Sequence, residues 1–186
     1  MSTKIIGVIH GKFQMLHLGH MEYLLAGKNR CDYLYIGITN PDTNLTSDNE
    51  NDLNRSKLSS NPFTYYERME MIRDAMLENG VNRTEFEIVP FPINYPKLIN
   101  NYVPMSAVFF VTIYDKWGEH KLETLNRLGV KTDLMWVRDM SERLTSGTEV
   151  RTLIANDGEW THLVPKSVST YVKERKLIER IKTLCK

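Results

Sequence analysis

Hydrophobic and polar positions along the chain predict strands and helices that follow one another. Lys4–His10 and Tyr33–Thr39 are short runs rich in apolar and β-branched residues, which is typical of buried strands. Between them, Gly19–Lys28 carries apolar residues at helical spacing. The same criteria predict strands at Phe86–Val89, Ala107–Ile113 and Asp133–Val137, and helices at Thr64–Asn79, Lys116–Leu128, Thr148–Ala155 and Val168–Lys182.

This alternation predicts an α/β fold, specifically a Rossmann-like, doubly wound, five-stranded parallel sheet with C-terminal helices. Ligands of such sheets bind beyond the carboxyl ends of the strands, where the strand order reverses. The first predicted strand ends at His10 and Gly11. We therefore expect the chemistry of the protein in the residues that follow Gly11.

Local signals refine the element boundaries. Thr64 is a candidate N-cap because Glu67 follows three residues later, which makes a capping box. Three prolines after the third strand predict an extended connection, since each restricts the residue before it: Pro90, Pro92 and Pro96. Trp136 lies inside the fifth predicted strand and is expected in the core, whereas Trp160 is expected to pack the C-terminal helices together.

The segment from Pro41 to Asn61 differs from the rest of the chain. It is rich in Asn, Asp, Ser and Thr, so it is too polar to pack well and is predicted to be a long loop. Loops of more than about 12–15 residues are usually either functional or disordered. Both interpretations, a substrate loop and a plain insertion, stay open.

Composition bounds the class of protein. The chain has 186 residues, which predicts a single domain over residues 1–186. Its 24 basic and 23 acidic residues give a net charge of +1, which gives no reason to expect a nucleic-acid or membrane partner. Cys31 and Cys185 fit no metal site or disulfide framework, and no signal peptide is evident, so a cytoplasmic location is expected. Whether the chain forms a homo-oligomer stays open.

The first chemical motif follows the first strand. It runs Gly11, Lys12, Phe13, Gln14, Met15, Leu16, His17, Leu18, Gly19 and His20. His17 and His20 lie three residues apart at the start of a predicted helix, so both can face one side. Gly19 leaves room for a phosphate at the helix N-terminus, whose free N–H groups favour anions, and Lys12 adds a positive charge. The motif therefore indicates a polyphosphate site.

Other interpretations of the two histidines are less favourable. They could be ordinary capping or surface residues, but a pair placed after the first strand makes that less attractive. A metal site is disfavoured because no Cys or third His follows closely. A dinucleotide-binding oxidoreductase is disfavoured because the Gly-x-Gly-x-x-Gly turn is missing after the first strand.

A second motif precedes the predicted helix at Thr148. It reads Ser146, Gly147, Thr148, Glu149, Val150 and Arg151. Thr148 can cap that helix or bind a phosphate, and Arg151 projects from the first turn on the same side. Capping alone would explain such a hexapeptide, but its pairing with the histidine motif indicates a second anion-binding helix N-terminus.

Together the two motifs resemble the signatures of the HxGH nucleotidyltransferase superfamily. The resemblance implies direct in-line attack of an acceptor phosphate on the α-phosphorus of a nucleoside triphosphate, with release of pyrophosphate. It implies that His17 and His20 donate to phosphate oxygens, and that Lys12 and Arg151 neutralise the triphosphate. Nucleotide-binding residues would also be Gly11, Phe13, Gln14, Gly19, Ser146, Gly147 and Thr148. Mg²⁺ would be bound mainly through the triphosphate.

The acceptor region departs from the relatives that the motifs resemble most. Gly11–Gln14 is similar to archaeal nicotinamide-mononucleotide (NMN) adenylyltransferases, but the stretch from Ile93 to Ile99 lacks the Trp that they use for nicotinamide. Tyr114–Trp117 is more similar to the cytidylyltransferase domain of phosphonate-antibiotic pathways. Candidate acceptor contacts are Arg55, Lys57, Lys97, Tyr114 and Lys116. Each of these could instead be surface charge or, for the tyrosine, core.

The favoured function is therefore CMP transfer from CTP to a small phosphonate or phosphate-bearing acceptor. Two alternatives stay open: formation of NAD from ATP and NMN, and a nucleotide-binding regulatory module that has lost turnover.

Overall fold

The protein, analysed as a computed structural model, is described here for residues 4–42 and 57–185. Its strands form one parallel sheet in the order β3-β2-β1-β4-β5. The strands are β1 (Ile6–Gly11), β2 (Tyr33–Thr39), β3 (Phe86–Phe91), β4 (Val108–Ile113) and β5 (Lys131–Val137). The helices are α1 (Leu18–Lys28), α2 (Tyr65–Glu78), α3 (Lys116–Arg127), α4 (Gly147–Ala155), α5 (Lys166–Glu174) and α6 (Leu177–Cys185). The Rossmann-like fold class is confirmed.

The strand order reverses between β1 and β4, and this is where the two strands separate. β1 pairs with β2 over its whole length, from Ile6 to Gly11. It pairs with β4 only at Gly7 and Val8. The last residues of β1 therefore diverge from β4, which opens a crevice at the carboxyl edge of the sheet, as expected for a doubly wound fold.

Alternate side chains of the central strands enter two hydrophobic cores, one on each face of the sheet. Ile9 and Phe110 pack on the face that carries α1, α2 and the C-terminal helices. Val8 and Phe109 pack on the other face, which carries α3. This period of two is what parallel strands buried on both faces require. It also decides which side of the crevice each residue at a strand end lines.

Some of the element boundaries and packing positions predicted from local sequence signals are confirmed, and others are not. Thr64 caps α2 in a capping box with Glu67, as predicted. The prolines do not give a wholly extended connection, because Pro90 lies inside β3 and a 3-10 helix occupies Pro96–Asn101. Trp160 is buried against the C-terminal helices, as expected.

Two further expectations were wrong. The closing helix predicted at Val168–Lys182 is two helices, because Lys176 takes a left-handed φ of 55° between α5 and α6. Trp136 is half-buried rather than in the core, because β5 is an edge strand. Of the loop predicted at 41–61, residues 43–56 lie outside the described residues, and Leu58–Ser60 forms a short 3-10 helix. No helix in the described ranges is long and apolar enough to span a bilayer.

Candidate active site

A cavity of about 460 Å³ occupies the crevice between β1 and β4. The residues that line it come from the loop after β1, from α1, from the ends of β2 and β4, from the start of α3 and from the loop before α4. Those from the two motifs are Gly11, Lys12, Phe13, Gln14, His17, Gly19, His20, Ser146, Gly147, Thr148 and Arg151. The fold therefore brings every predicted phosphate-site residue to one cavity, although about 130 residues separate the two motifs in the chain.

The two histidines lie face to face at the N-terminus of α1. His17 caps the helix, and its Nδ1 accepts a hydrogen bond from the backbone N–H of His20 at 3.3 Å. Their rings stack with centroids 3.7 Å apart. Gly19 lies close against this pair, since a Cβ there would be 3.2 Å from Nδ1 of His17. The sequence places two imidazoles and a helix N-terminus together, which is an arrangement suited to phosphate oxygens.

Both imidazoles are held in the neutral form. Burial, followed by the positive charges of Arg143 and Arg151, lowers the pKa of His17 to about 3. Burial, followed by His17 and then Arg143, lowers the pKa of His20 well below its ordinary value of 6.5. A neutral imidazole carries one N–H donor. In the free protein the pair therefore carries no positive charge.

The second motif forms the N-terminus of α4. Ser146 caps this helix in a capping box with Glu149, so the capping role considered for Thr148 belongs to Ser146. The hydroxyl of Thr148 instead accepts a hydrogen bond from Arg151 Nη2 at 3.3 Å. The buried Arg151 also donates through Nη1 to the main-chain oxygen of Gln14. Arg151 therefore ties the two motifs together at the cavity wall.

Phe13 and Gln14 shape the first loop with their side chains. Gln14 donates to the main-chain oxygen of Phe63 at 2.8 Å and accepts from its N–H at 2.9 Å, so both the nitrogen and the oxygen of the amide are hydrogen-bonded. The ring of Phe13 is buried and meets the ring of His20 edge-on at 5.0 Å. Their side chains thus hold the loop in place.

Arg68 is a buried residue near the site that was not among the predicted site residues. Its guanidinium is fully buried and donates to the main-chain oxygens of Lys12 at 3.0 Å, Thr39 at 2.9 Å and Asn40 at 2.8 Å. Burial lowers its pKa to about 10. The available signal was its position, because Arg68 falls on the face of α2 that also carries the buried Ile72. Arg68 joins the ends of β1 and β2 beneath the cavity.

The predicted acceptor contacts are dispersed. Tyr114 lines the cavity. Lys57, Lys97 and Lys116 are exposed and are not among the lining residues. Lys97 lies on a 3-10 helix whose buried residue is Ile99, and Lys116 precedes the α3 residues that face the cavity, so their charges point elsewhere. Arg55 lies outside the described residues.

Two basic side chains that were not predicted as acceptor contacts line the cavity instead. Lys121 lines the cavity from α3, one turn after Trp117 and Gly118. Arg143 lines it from the loop before α4, and its guanidinium contacts Asp115 at 3.2 Å and lies 4.6 Å from the ring centre of Tyr114. The helical spacing from Trp117 could have indicated Lys121. The position of Arg143 depends on the tertiary structure alone.

Four further lining residues lie at or just after the ends of β1, β2 and β3, or in the segment before α2. They are His10, Thr39, Ser60 and Ile93. His10 is only 2% exposed and stacks on Phe91 with ring centroids 4.6 Å apart. His10 was predicted only as the end of the first strand and not as a site residue. Its place in the alternation, two residues after Val8, was the signal that could have assigned it to this face.

Comparison with known proteins agrees with the two motifs. A family model described as cytidylyltransferase-like matches residues 8–153. The chain is 48% identical over 176 residues to phosphonoformate cytidylyltransferase of Streptomyces viridochromogenes, covering 95% of both chains. It is 33% identical over 182 residues to nicotinamide-nucleotide adenylyltransferase of Thermococcus sibiricus, covering 96% of this chain and 88% of that one.

Solved structures show the same fold. A bifunctional NMN adenylyltransferase/ADP ribose pyrophosphatase from Francisella tularensis superposes with a TM-score of 0.68 at 16% identity. The match covers 97% of this chain and 53% of that one, so the chain spans about half of the bifunctional protein. At this identity the likeness concerns the fold alone.

Proposed function

This chain belongs to the cytidylyltransferase-like family of nucleotidyltransferase enzymes, and we propose that it transfers CMP from CTP to a small phosphonate, with phosphonoformate as the first acceptor to test. The observation that carries this proposal is the 48% identity over nearly the whole length of a phosphonoformate cytidylyltransferase. The cavity supports it, because the residues of both motifs line one cavity together with two helix N-termini, which suit an anion.

The proposed reaction is a single displacement at the α-phosphorus of CTP. An oxygen of the acceptor phosphonate forms a bond to that phosphorus, while the bond to the bridging oxygen of pyrophosphate breaks and its electron pair leaves with pyrophosphate. Such transfers need positioning and charge stabilisation rather than a protein nucleophile. His17 and His20 would donate to α-phosphate oxygens, while Lys12 and Arg151 would balance the charge of the leaving pyrophosphate.

Mg²⁺, which the family resemblance implies, fits as a companion of the nucleotide. Among the cavity residues that the structure describes, the carboxylate is Asp115, and both of its oxygens are engaged, by the N–H of Gly118 at 2.9 Å and by Arg143 at 3.2 Å. Phosphate oxygens are the ligands that Mg²⁺ commonly uses in such sites. When bound, the ion would neutralise part of the triphosphate charge.

The cavity divides into two halves around the histidine pair. The half next to β4 and α3 carries the flat rings of Tyr114 and Trp117, which suit a nucleoside. The half next to β2 and β3 is a recess lined by His10, Thr39 and Ile93. Because the rings of the first half are assigned to the nucleoside, we assign the acceptor to this second half, from which it would attack the α-phosphorus on the side opposite the leaving pyrophosphate.

Formation of NAD from ATP and NMN is the second candidate. It is favoured by the 33% identity to the enzyme of Thermococcus sibiricus. It is disfavoured by the stretch from Ile93 to Ile99, which carries no Trp for a nicotinamide ring. A binding module without turnover is disfavoured because His17, His20 and Arg151 are all retained at the cavity.

The test is a reaction of CTP with phosphonoformate followed by pyrophosphate release and phosphorus NMR. We expect stoichiometric pyrophosphate and a new phosphate–phosphonate anhydride signal. His20→Ala should lower the rate by about 100- to 1000-fold, the usual effect of removing one such donor, with an unchanged circular dichroism spectrum. Absence of pyrophosphate with the wild-type protein, or full activity of the variant, would contradict the proposal.

A further inference from the structure

We infer that His10 is the residue that selects the acceptor, by giving a hydrogen bond to a second anionic group next to the phosphonate. This inference rests on the proposed function. The acceptor would thus be a short phosphonate with a carboxylate attached close to phosphorus. His17 and His20 hold the phosphate being transferred, and His10 has no part in that contact.

The first support is where β1 places the ring. His10 is the penultimate residue of β1, at the centre of the carboxyl edge of the sheet, and it lines the cavity although it is only 2% exposed. It follows Val8 by two residues and therefore lies on the α3 face of the sheet. α1, which carries the other two histidines, packs on the opposite face.

The second support is the way the ring is held. β2 runs between β1 and β3, and Gly37 of β2 pairs with His10 on one side and with Val89 on the other. Because Gly37 has no side chain, the ring of Phe91 crosses β2 and stacks on His10 at an interplanar angle of 10°. A Cβ at Gly37 would lie 2.6 Å from Cδ2 of Phe91, so the stack depends on this glycine.

The third support is the chemistry of the recess. Thr39, at the end of β2, and Ile93, just after β3, also line the cavity, and they bring a hydroxyl group and an apolar side chain. An imidazole fixed by stacking can direct one nitrogen into the recess at little cost in side-chain entropy. A donor fixed in a buried site discriminates strongly against a ligand that lacks the matching acceptor group. His10 would therefore favour phosphonoformate over methylphosphonate, which has a methyl group in place of the carboxylate.

The experiment compares these two acceptors with the wild-type protein and three variants. His10→Leu removes the donor, and His10→Gln keeps an N–H group. His162→Leu is the matched control, because His162 is exposed and is not a lining residue. The readouts are kcat and KM for each acceptor and, separately, the Kd of CTP, which also reports whether each variant is folded.

We expect His10→Leu to lower kcat/KM for phosphonoformate by about 10- to 100-fold, the usual worth of a hydrogen bond to a charged group. Methylphosphonate turnover and CTP affinity should stay within about two-fold of wild type. His10→Gln should recover part of the loss, and His162→Leu should show none.

Four results would overturn the inference. If the wild-type protein uses the two acceptors equally well, or if His10→Leu loses both to the same extent, the inference is wrong while the proposed reaction stands. If His10→Leu weakens CTP instead, His10 belongs to the nucleotide half. If the wild-type protein transfers CMP to neither acceptor, the proposed function fails and the inference fails with it.

Discussion

Replacing Arg68 tests how the loop that carries Lys12 is fixed. In Arg68→Leu the main-chain oxygens of Lys12, Thr39 and Asn40 lose the donors that now lie 2.8 to 3.0 Å away. A buried acceptor left without a partner costs about 1–3 kcal/mol. Part of this loss is offset because the variant no longer buries a guanidinium, whose pKa burial lowers to about 10. We expect the free energy of unfolding to fall by about 3 kcal/mol.

Urea denaturation followed by circular dichroism measures this loss. The matched control is Arg127→Leu, whose side chain is 75% exposed and pairs with Glu123 on the surface of α3 at 3.4 Å. Such surface pairs contribute about 0–1 kcal/mol. Arg68→Leu should also raise KM for CTP, because the Lys12 loop loses its anchor. A loss no larger than that of the control would refute the reasoning that these carbonyls depend on Arg68.

Three further predictions concern residues of the two predicted phosphate-binding motifs. The pKa of His17 is about 3 in the folded protein and 6.5 in the unfolded chain, so its contribution to stability is present above pH 6.5 and is lost as the pH falls. Between pH 7 and pH 5 this group should lower the free energy of unfolding by about 2 kcal/mol. In urea titrations His17→Asn should lose about 2 kcal/mol less than the wild type over this range, and equal losses would contradict the low pKa. Gly147→Ala places a Cβ 2.7 Å from the main-chain oxygen of Gln14, so the two motifs must move apart. We expect kcat/KM to fall about 100-fold, and wild-type kinetics would show that the close contact is not needed for activity. Arg151→Lys cannot hold both Gln14 and Thr148, so KM for CTP should rise about 10-fold, and an unchanged KM would remove Arg151 from the triphosphate site.

Most of the fold could be predicted from short-range sequence patterns. The capping box of Thr64 and Glu67 could be read directly because both partners lie within one helical turn. The strands were recognisable because parallel strands buried on both faces are continuously apolar. Trp136 was misplaced because the sequence does not report that β5 is an edge strand. The break at Lys176 was missed because it depends on a left-handed backbone conformation that no glycine marks.

The candidate site also had one part that local sequence could predict and one part that it could not. The two predicted phosphate motifs could be identified because each is a short segment at a helix N-terminus. In the fold they meet through the hydrogen bond from Arg151 to the main-chain oxygen of Gln14. The candidate acceptor contacts were harder to predict, because charge alone selected the exposed Lys97 and Lys116, whereas strand alternation and helix facing place His10 and Lys121 at the cavity. Orientation in the tertiary structure, rather than residue type, decides which side chains reach an acceptor.

The most direct test of the central claim is a matrix of kcat/KM values for pyrophosphate release, with CTP and ATP each offered phosphonoformate and NMN. We predict that kcat/KM for CTP with phosphonoformate exceeds that of every other pair by at least about 100-fold. Turnover confined to ATP with NMN would contradict it, and would instead assign this site to NAD formation.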